Sequence, residues 1–153
     1  MERWEEAFLT DVAKLEKLYR SCVREAANSY RLTSNEIVVL LFLGRHAPQQ
    51  DTATDIASSR GISKALVARS VDCLHRRGFL ECRRDKNDRR IVHLCLCGEG
   101  IEVAEHLKRT GIRIAQKLRE NITDEELQAV HQIMCKMQRN LDALYDSEEG
   151  TVK

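Results

Sequence analysis

Residues 63–96 read SKALVARSVDCLHRRGFLECRRDKNDRRIVHLCL. Ser63 is suited to cap a helix, and Leu66, Val67, Val71 and Leu74 recur behind it at helical spacing, so a helix is expected over 63–77, stopped by Gly78. Two β-prone runs follow, 79–84 and 91–96, separated by the polar stretch Asp85 to Arg90, which together read as a β-hairpin.

Upstream, a short helix opens near Thr52 or Thr54 and breaks at Gly61. Ala57 is small where two short helices must cross, Gly61 four residues later permits a left-handed turn, and Val67 packs the second helix back. Helix, turn, helix and charged hairpin is the order of a winged helix-turn-helix. The N-terminal end of the second helix of such a unit reaches base edges in the major groove. Its outward face carries Ser63, Lys64, Ala65, Ala68 and Arg69, and its inward set is Leu66, Val67, Val71 and Leu74. Arg69 has the fork for a bidentate guanine contact, Lys64 suits a phosphate or a guanine, and Ala65 and Ala68 allow close approach or thymine-methyl contact. In the hairpin, Arg84 leads into a thin loop with Lys86, Arg89 and Arg90, a density of cations suited to a narrow minor groove. Asp88 is placed to pair with a neighbouring arginine and aim it.

Net charge is only +1, yet it is unevenly spread. Between Arg60 and Arg90 there are ten Lys and Arg against four acids, while the rest of the chain carries five more acids than bases. A basic centre in an acidic frame is the footprint of a module that docks on phosphates.

Around this centre the pattern changes. Trp4, Phe8, Val12, Leu15, Leu18, Tyr19, Cys22, Val23 and Ala26 mark a first amphipathic helix of about 25 residues. Thr33 and Glu36 form a capping box before the nearly all-apolar run 37–43, a helix that should be buried on most sides. Ile101, Ala104, Leu107, Gly111, Ile114, Ala115 and Leu118 stripe a further long helix. A second capping box, Thr123 with Glu126, opens the last one, where Leu127, Val130, Met134, Met137, Leu141 and Leu144 step like a coiled-coil seam. Three long stripes exceed what a small core can cover, so a homodimer is expected, with Phe8, Leu15, Leu127, Met134, Leu141 and Leu144 at its interface. The fold class is mainly α with a small β-hairpin wing (α+β). Residues 1–31 and 98–146 are assigned to dimerisation, 32–97 to a winged helix-turn-helix that binds DNA, and 147–153 to a polar tail that frays after Asp146.

The run 78–90, followed by Leu94, Leu96 and the Gly98-Glu99-Gly100 turn into a long helix, resembles the wing of the MarR (multiple-antibiotic-resistance regulator) family, and the resemblance extends over residues 5–145. It implies a triangular homodimer on a near-palindromic operator, with Arg90 as the minor-groove residue, Asp88 as its orienting partner and Arg89 on a phosphate. It also implies a small aromatic or amphipathic effector bound between the dimer helices and the reading domain. The chain departs from the family's pattern at Cys97, where a hydroxyl usually precedes the fifth helix, and at Ala68, where the reading helix often has Ser or Thr.

The expected function is therefore a ligand-responsive repressor binding double-stranded DNA. A thiol- or metal-sensing regulator on the same scaffold is the alternative, and a winged-helix protein-interaction module a third. Cys22, near Tyr19 on the first helix, is the candidate redox residue for the second reading, against a buried interface thiol. His93, Cys95 and Cys97, with Cys82 or His106, are candidate ligands, but residues alternating along a strand rarely close a tetrahedron, so no metal is assigned. His131 is read as an interface residue. The six cysteines lack framework spacing and are expected as reduced, mostly buried thiols. No nucleophile–base motif, phosphate-binding glycine loop or paired carboxylates in an apolar context point to an enzyme, and no cofactor is implied. A charged N-terminus and the lack of any run near 18 apolar residues point to a cytoplasmic protein with no membrane partner.

Overall fold

The computed structural model describes residues 2–149, and side chains from 6 to 144. Its elements are α1 (Glu2–Ala27), a 3-10 turn (Asn28–Tyr30), α2 (Ser34–His46), α3 (Ala53–Arg60), α4 (Lys64–Arg76), β1 (Leu80–Arg84), β2 (Val92–Leu96), α5 (Glu99–Leu118) and α6 (Asp124–Glu149). The fold is mainly helical with one antiparallel hairpin, as the pattern of the sequence requires. Compact packing divides the chain between Ala115 and Gln116.

The core of the first unit is built around α2. Its run 39–43 is buried throughout, because apolar side chains on nearly every side leave no face for water. Thr33 accepts from the Glu36 amide while the Glu36 carboxylate accepts from the Thr33 amide, satisfying two donors at the buried start of the helix. Against Phe42, Leu40 and Leu43 pack Val23 and Ala27 of α1, Ile56 of α3, Val67 and Leu74 of α4, Leu80 and Leu94 of the hairpin, and Val103 and Leu107 of α5. Fully burying each of these side chains larger than Ala27 contributes about 1.5–3 kcal/mol.

Thr52 caps α3 with Asp55 as its reciprocal partner, and Gly61 ends that helix at φ 61°. Ala57 and Val67 are both buried where α3 meets α4, so the crossing is as the spacing suggests. The strands pair from Leu80↔Leu96 to Arg84↔Val92, and a bridge between Thr52 and His93 ties the start of α3 to β2.

Three expectations need correction. Leu66 is 45% exposed, and Ser70 takes the inward place, its hydroxyl donating to the Leu66 carbonyl. With Val67 at the crossing, the inward stripe is 67, 70, 71 and 74, and Leu66 falls a step outside it. On α5 the face buried within the single chain is Gly100, Val103, Ala104, Leu107 and Thr110, while Ile101 and Leu118 of the expected stripe are exposed in it. The backbone sets this phase: a Cβ at Gly100 would lie 1.8 Å from the Phe79 carbonyl oxygen, so only glycine lets α5 seat on the start of β1. None of the six free cysteines is fully buried; Cys82 and Cys135 are exposed and the other four half-buried, because large aliphatic side chains fill the core instead. Finally, α6 continues through Glu149, since no breaker precedes Gly150, while the rest of the expected tail, 150–153, lies outside the described residues.

Gly100→Ala should therefore destabilise the protein by at least about 2 kcal/mol, the cost of overpacking against rigid backbone. Urea unfolding at one fixed protein concentration measures it, and an unchanged midpoint would show that α5 can seat otherwise.

Candidate nucleic-acid interface

The Ser63 hydroxyl accepts from the Leu66 amide and starts α4, whose first turn carries no acid. The positive end of the helix dipole is therefore uncompensated by the helix itself, as suits an anionic partner. Burial of Val67, Ser70, Val71 and Leu74 turns the opposite face outward, and Ser63, Lys64, Ala65, Ala68 and Arg69 are all exposed.

The hairpin loop is organised by its own carboxylates. Asp85 Oδ1 accepts from the amides of Asn87 (2.7 Å) and Asp88 (2.9 Å), folding the loop back on itself. Asp88 Oδ1 accepts from the Arg90 amide (3.0 Å) and Nε (3.1 Å), and its Oδ2 from Nη2 (3.2 Å). The Arg90 side chain is 91% exposed, yet this three-point grip confines its direction. Lys86 and Arg89 are exposed beside it, and Arg84 stands at the root of the loop.

The structure sorts the basic segment into two sets. Arg77 donates to the carbonyls of Tyr30 and Arg31 and lies 4.6 Å over the Phe79 ring; Arg60 lies over Phe42, Arg76 pairs with Asp72, and Arg83 with Glu81. Among the described residues, no ion pair engages Lys64, Arg69, Arg84, Lys86 or Arg89. Within this segment, the cations with neither an ion pair nor a ring contact are thus those of α4 and the hairpin.

Two clusters escaped the sequence reading. Glu36, 3% exposed, is a buried carboxylate: desolvation opposes its ionisation, but hydrogen bonds from Cys73 and Thr33 and the nearby Arg77 guanidinium outweigh this and hold its pKa below the ordinary 4.5. The same bond, with burial, pushes the Cys73 thiol up, away from reactivity. The capping box signalled Glu36, but nothing local signalled Cys73 and Arg77 around it. Likewise His93 sits between Asp51 and Asp85, residues 42 and eight positions away in the chain.

Other candidate residues are not gathered into one site. Among the described residues no three His, Cys, Asp or Glu are grouped to hold a metal, and both ring nitrogens of His93 are engaged by aspartates. Cys22 is half-buried on α1 beside buried Val23, and exposed His131 has Nε2 3.7 Å from Cys135 Sγ. No helix among the described residues is long and apolar enough to cross a membrane. Within the first unit a cavity of about 380 Å³ opens between α1, α2 and the end of α3. Tyr19, Ile37, Val38, Leu41 and Ile62 give it apolar walls, and Arg20, Arg24, Arg45 and Arg60 line it as well. Glu16 engages Arg20, and Arg45 donates to the Tyr19 hydroxyl.

A helix-turn-helix with a cationic hairpin, both turned outward, is the architecture of a winged-helix DNA-binding protein. Residues 32–91 match the model of the MarR family. Its fold matches that of a MarR family transcriptional regulator from Listeria monocytogenes complexed with 26-mer DNA, at 15% identity and TM-score 0.78, covering 92% of this chain and 93% of that one. Streptococcus pneumoniae FabT in complex with DNA matches at 21% identity and TM-score 0.70, over 94% and 99% of the two chains. Staphylococcus aureus MarR in complex with salicylate and kanamycin matches at 18% identity and TM-score 0.74, over 92% and 93%.

The carboxylates here predict the acid limb of stability. Glu36, Asp55, Asp85 and Asp88 all have lowered pKa values, that of Asp85 falling to about 2 through the Asp88 and Asn87 amides and then His93. Each favours the folded state above its ordinary pKa and loses that contribution as pH falls through the depressed value. Melting temperature should therefore drop from about pH 4.5 downward, and drop less in Glu36→Gln, which is already destabilised at neutral pH. Thermal melts from pH 3 to 7 check this; an identical pH dependence in the variant would remove Glu36 from the account.

Proposed function

We propose that the protein is a cytoplasmic repressor that binds a near-palindromic duplex operator as a homodimer and releases it when a small effector binds. Residues 32–97 read DNA, and residues 1–31 with 98–146 dimerise. The observation that carries this reading is the outward face of α4 together with an arginine gripped at the hairpin tip by Asp88. In this reading α4 enters the major groove, Arg69 takes a guanine, Lys64 a phosphate or guanine, and Ser63, Ala65 and Ala68 allow close approach. Arg90 enters the minor groove, aimed by Asp88, while Arg84, Lys86 and Arg89 contact the phosphate backbone.

Dimerisation is supported by exposed apolar side chains on helices long enough to bury them. On α1 these include Leu9, Val12, Leu15 and Leu18; on α6, Val130, Ile133, Met134, Leu141 and Leu144. Phe8 and Leu127 are half-buried. A second copy supplies the missing cover. The cavity between α1, α2 and α3 supports the effector reading, since its aromatic and aliphatic walls and the cations of Arg24 and Arg45, with Arg20 engaged by Glu16 and Arg60 over Phe42, fit a small aromatic acid. The Staphylococcus aureus protein's salicylate complex is a precedent for this ligand class.

Sedimentation at micromolar concentration should give a dimer, and Met134→Glu with Leu141→Glu should yield monomers that lose DNA affinity; a folded monomeric parent of 17.6 kDa would refute the assembly. On a duplex selected by the parent from a random pool, Arg69→Ala should cost about 1–3 kcal/mol and relax preference at one position per half-site. Arg90→Ala should weaken specific and non-specific duplexes alike and lower the salt slope by about one to two units for two wings. If anisotropy across salt leaves Arg90→Ala unchanged, the hairpin does not contact DNA. Salicylate should release the DNA from the parent and not from Arg45→Ala; release from both would place the effector elsewhere.

A further inference from the structure

We propose that His93 is the positioning residue of the wing: its imidazole, bonded through Nδ1 to Asp51 Oδ1 (2.7 Å) and through Nε2 to Asp85 Oδ2 (3.2 Å), ties the loop that carries Arg90 to the segment opening α3. The inference rests on the DNA-binding role of Arg90 proposed above. The anchor at one end is firm. Asp51 is buried, its carbonyl accepts from the Leu94 amide at 2.8 Å, and the Thr52–His93 bridge continues the pairing. At the other end, the second oxygen of Asp85 holds the amides of Asn87 and Asp88, and Asp88 holds Arg90. One continuous chain of hydrogen bonds therefore runs from the helix-turn-helix to the tip of the wing.

The chemistry of the ring makes this link dependent on a proton. Only the imidazolium donates from both nitrogens; the neutral ring turns a lone pair toward one of the two carboxylates and loses that bond. The charged surroundings favour the imidazolium. Asp51 precedes α3, Asp55 lies on α3, and Asp85 on the loop, while Arg83, opposite His93 on β1, is engaged by Glu81. The charged groups of α2, which also packs on β2, are directed elsewhere: Glu36 to Thr33, Arg45 to Tyr19, and His46 against the Phe42 ring. The hydrogen bonds to Asp51 and Asp85 raise the His93 pKa above its ordinary 6.5, outweighing desolvation. The link is thus complete below pH 6.5 and is lost as pH rises through the raised value.

The test is anisotropy from pH 5.5 to 9 at constant ionic strength, on a duplex selected by the parent from a random pool. Parent affinity should fall roughly tenfold as His93 deprotonates, the scale of one hydrogen bond to a charged group. His93→Gln should bind at the weaker level with no such step, and Arg90→Ala should cost less in that background than in the parent at pH 6. An unchanged pH step in His93→Gln, or an equal cost of Arg90→Ala in both backgrounds, would overturn the clamp while leaving the wing reading standing. No effect of Arg90→Ala in the parent would instead overturn the wing reading, and the clamp's purpose with it. Imidazole NMR of the free parent protein gives a measurement that needs no variant to bind DNA. His93 should titrate above 6.5, and lower in Asp85→Asn; titration at or below 6.5 in the parent refutes the clamp.

Discussion

Burial of α2 is the constraint on which the first unit depends. A helix apolar on nearly all sides must be surrounded, and no single neighbour can do that. The end of α1, the short α3, α4, the root of the hairpin and the start of α5 each place aliphatic side chains against it. Because these elements meet at one helix, their mutual orientation follows from packing, and the outward faces of α4 and the hairpin are what remains once the inward faces are satisfied. Glu36 fits this scheme as the polar exception: its carboxylate is tolerated in the interior because the capping box, Cys73 and Arg77 satisfy it.

The same packing divides the basic residues by task. Arg60 and Arg77 lie over aromatic rings of the core, and Arg77 also donates to the Tyr30 and Arg31 carbonyls at the end of the 3-10 turn. They are cations of the scaffold. Lys64, Arg69 and the loop residues project from surfaces whose undersides are apolar. A helix whose first turn carries no acid and an arginine held by a carboxylate then make positive potential directional. Confinement matters for a long exposed side chain, since immobilising a freely rotating arginine at a binding event costs conformational entropy. Asp88 reduces that cost in advance.

The long terminal helices obey a different rule. Their stripes are amphipathic, but in one chain α1 leaves Leu9, Val12 and Leu18 exposed, and α6 leaves Val130, Ile133 and Met134 exposed. An isolated helix gains most of its stability from burying such a face, which argues for cover from outside the chain. The proposed dimer therefore answers to the same hydrophobic effect as the core, acting between molecules.

Local chemistry was legible in the sequence. Thr33 with Glu36, Thr123 with Glu126, Ser63, Gly61 and the Asp88–Arg90 pair all act within four residues, so hydrogen bonding and backbone freedom at those positions dictate the helix starts, the turn and the aimed arginine. The wing resemblance lay in one contiguous run for the same reason. Only the tertiary structure decided the rest. Ile101 points outward because Gly100 must lie against the Phe79 backbone, and Leu66 because the crossing at Ala57 turns Val67 and Ser70 inward. His93 meets Asp51 across 42 residues of sequence, through a bridge that exists only once the start of α3 lies along β2. Periodicity specifies that a helix or strand has an inner face; which residue sits at its centre, and which distant charge it meets, depends on contacts that form only when the elements pack.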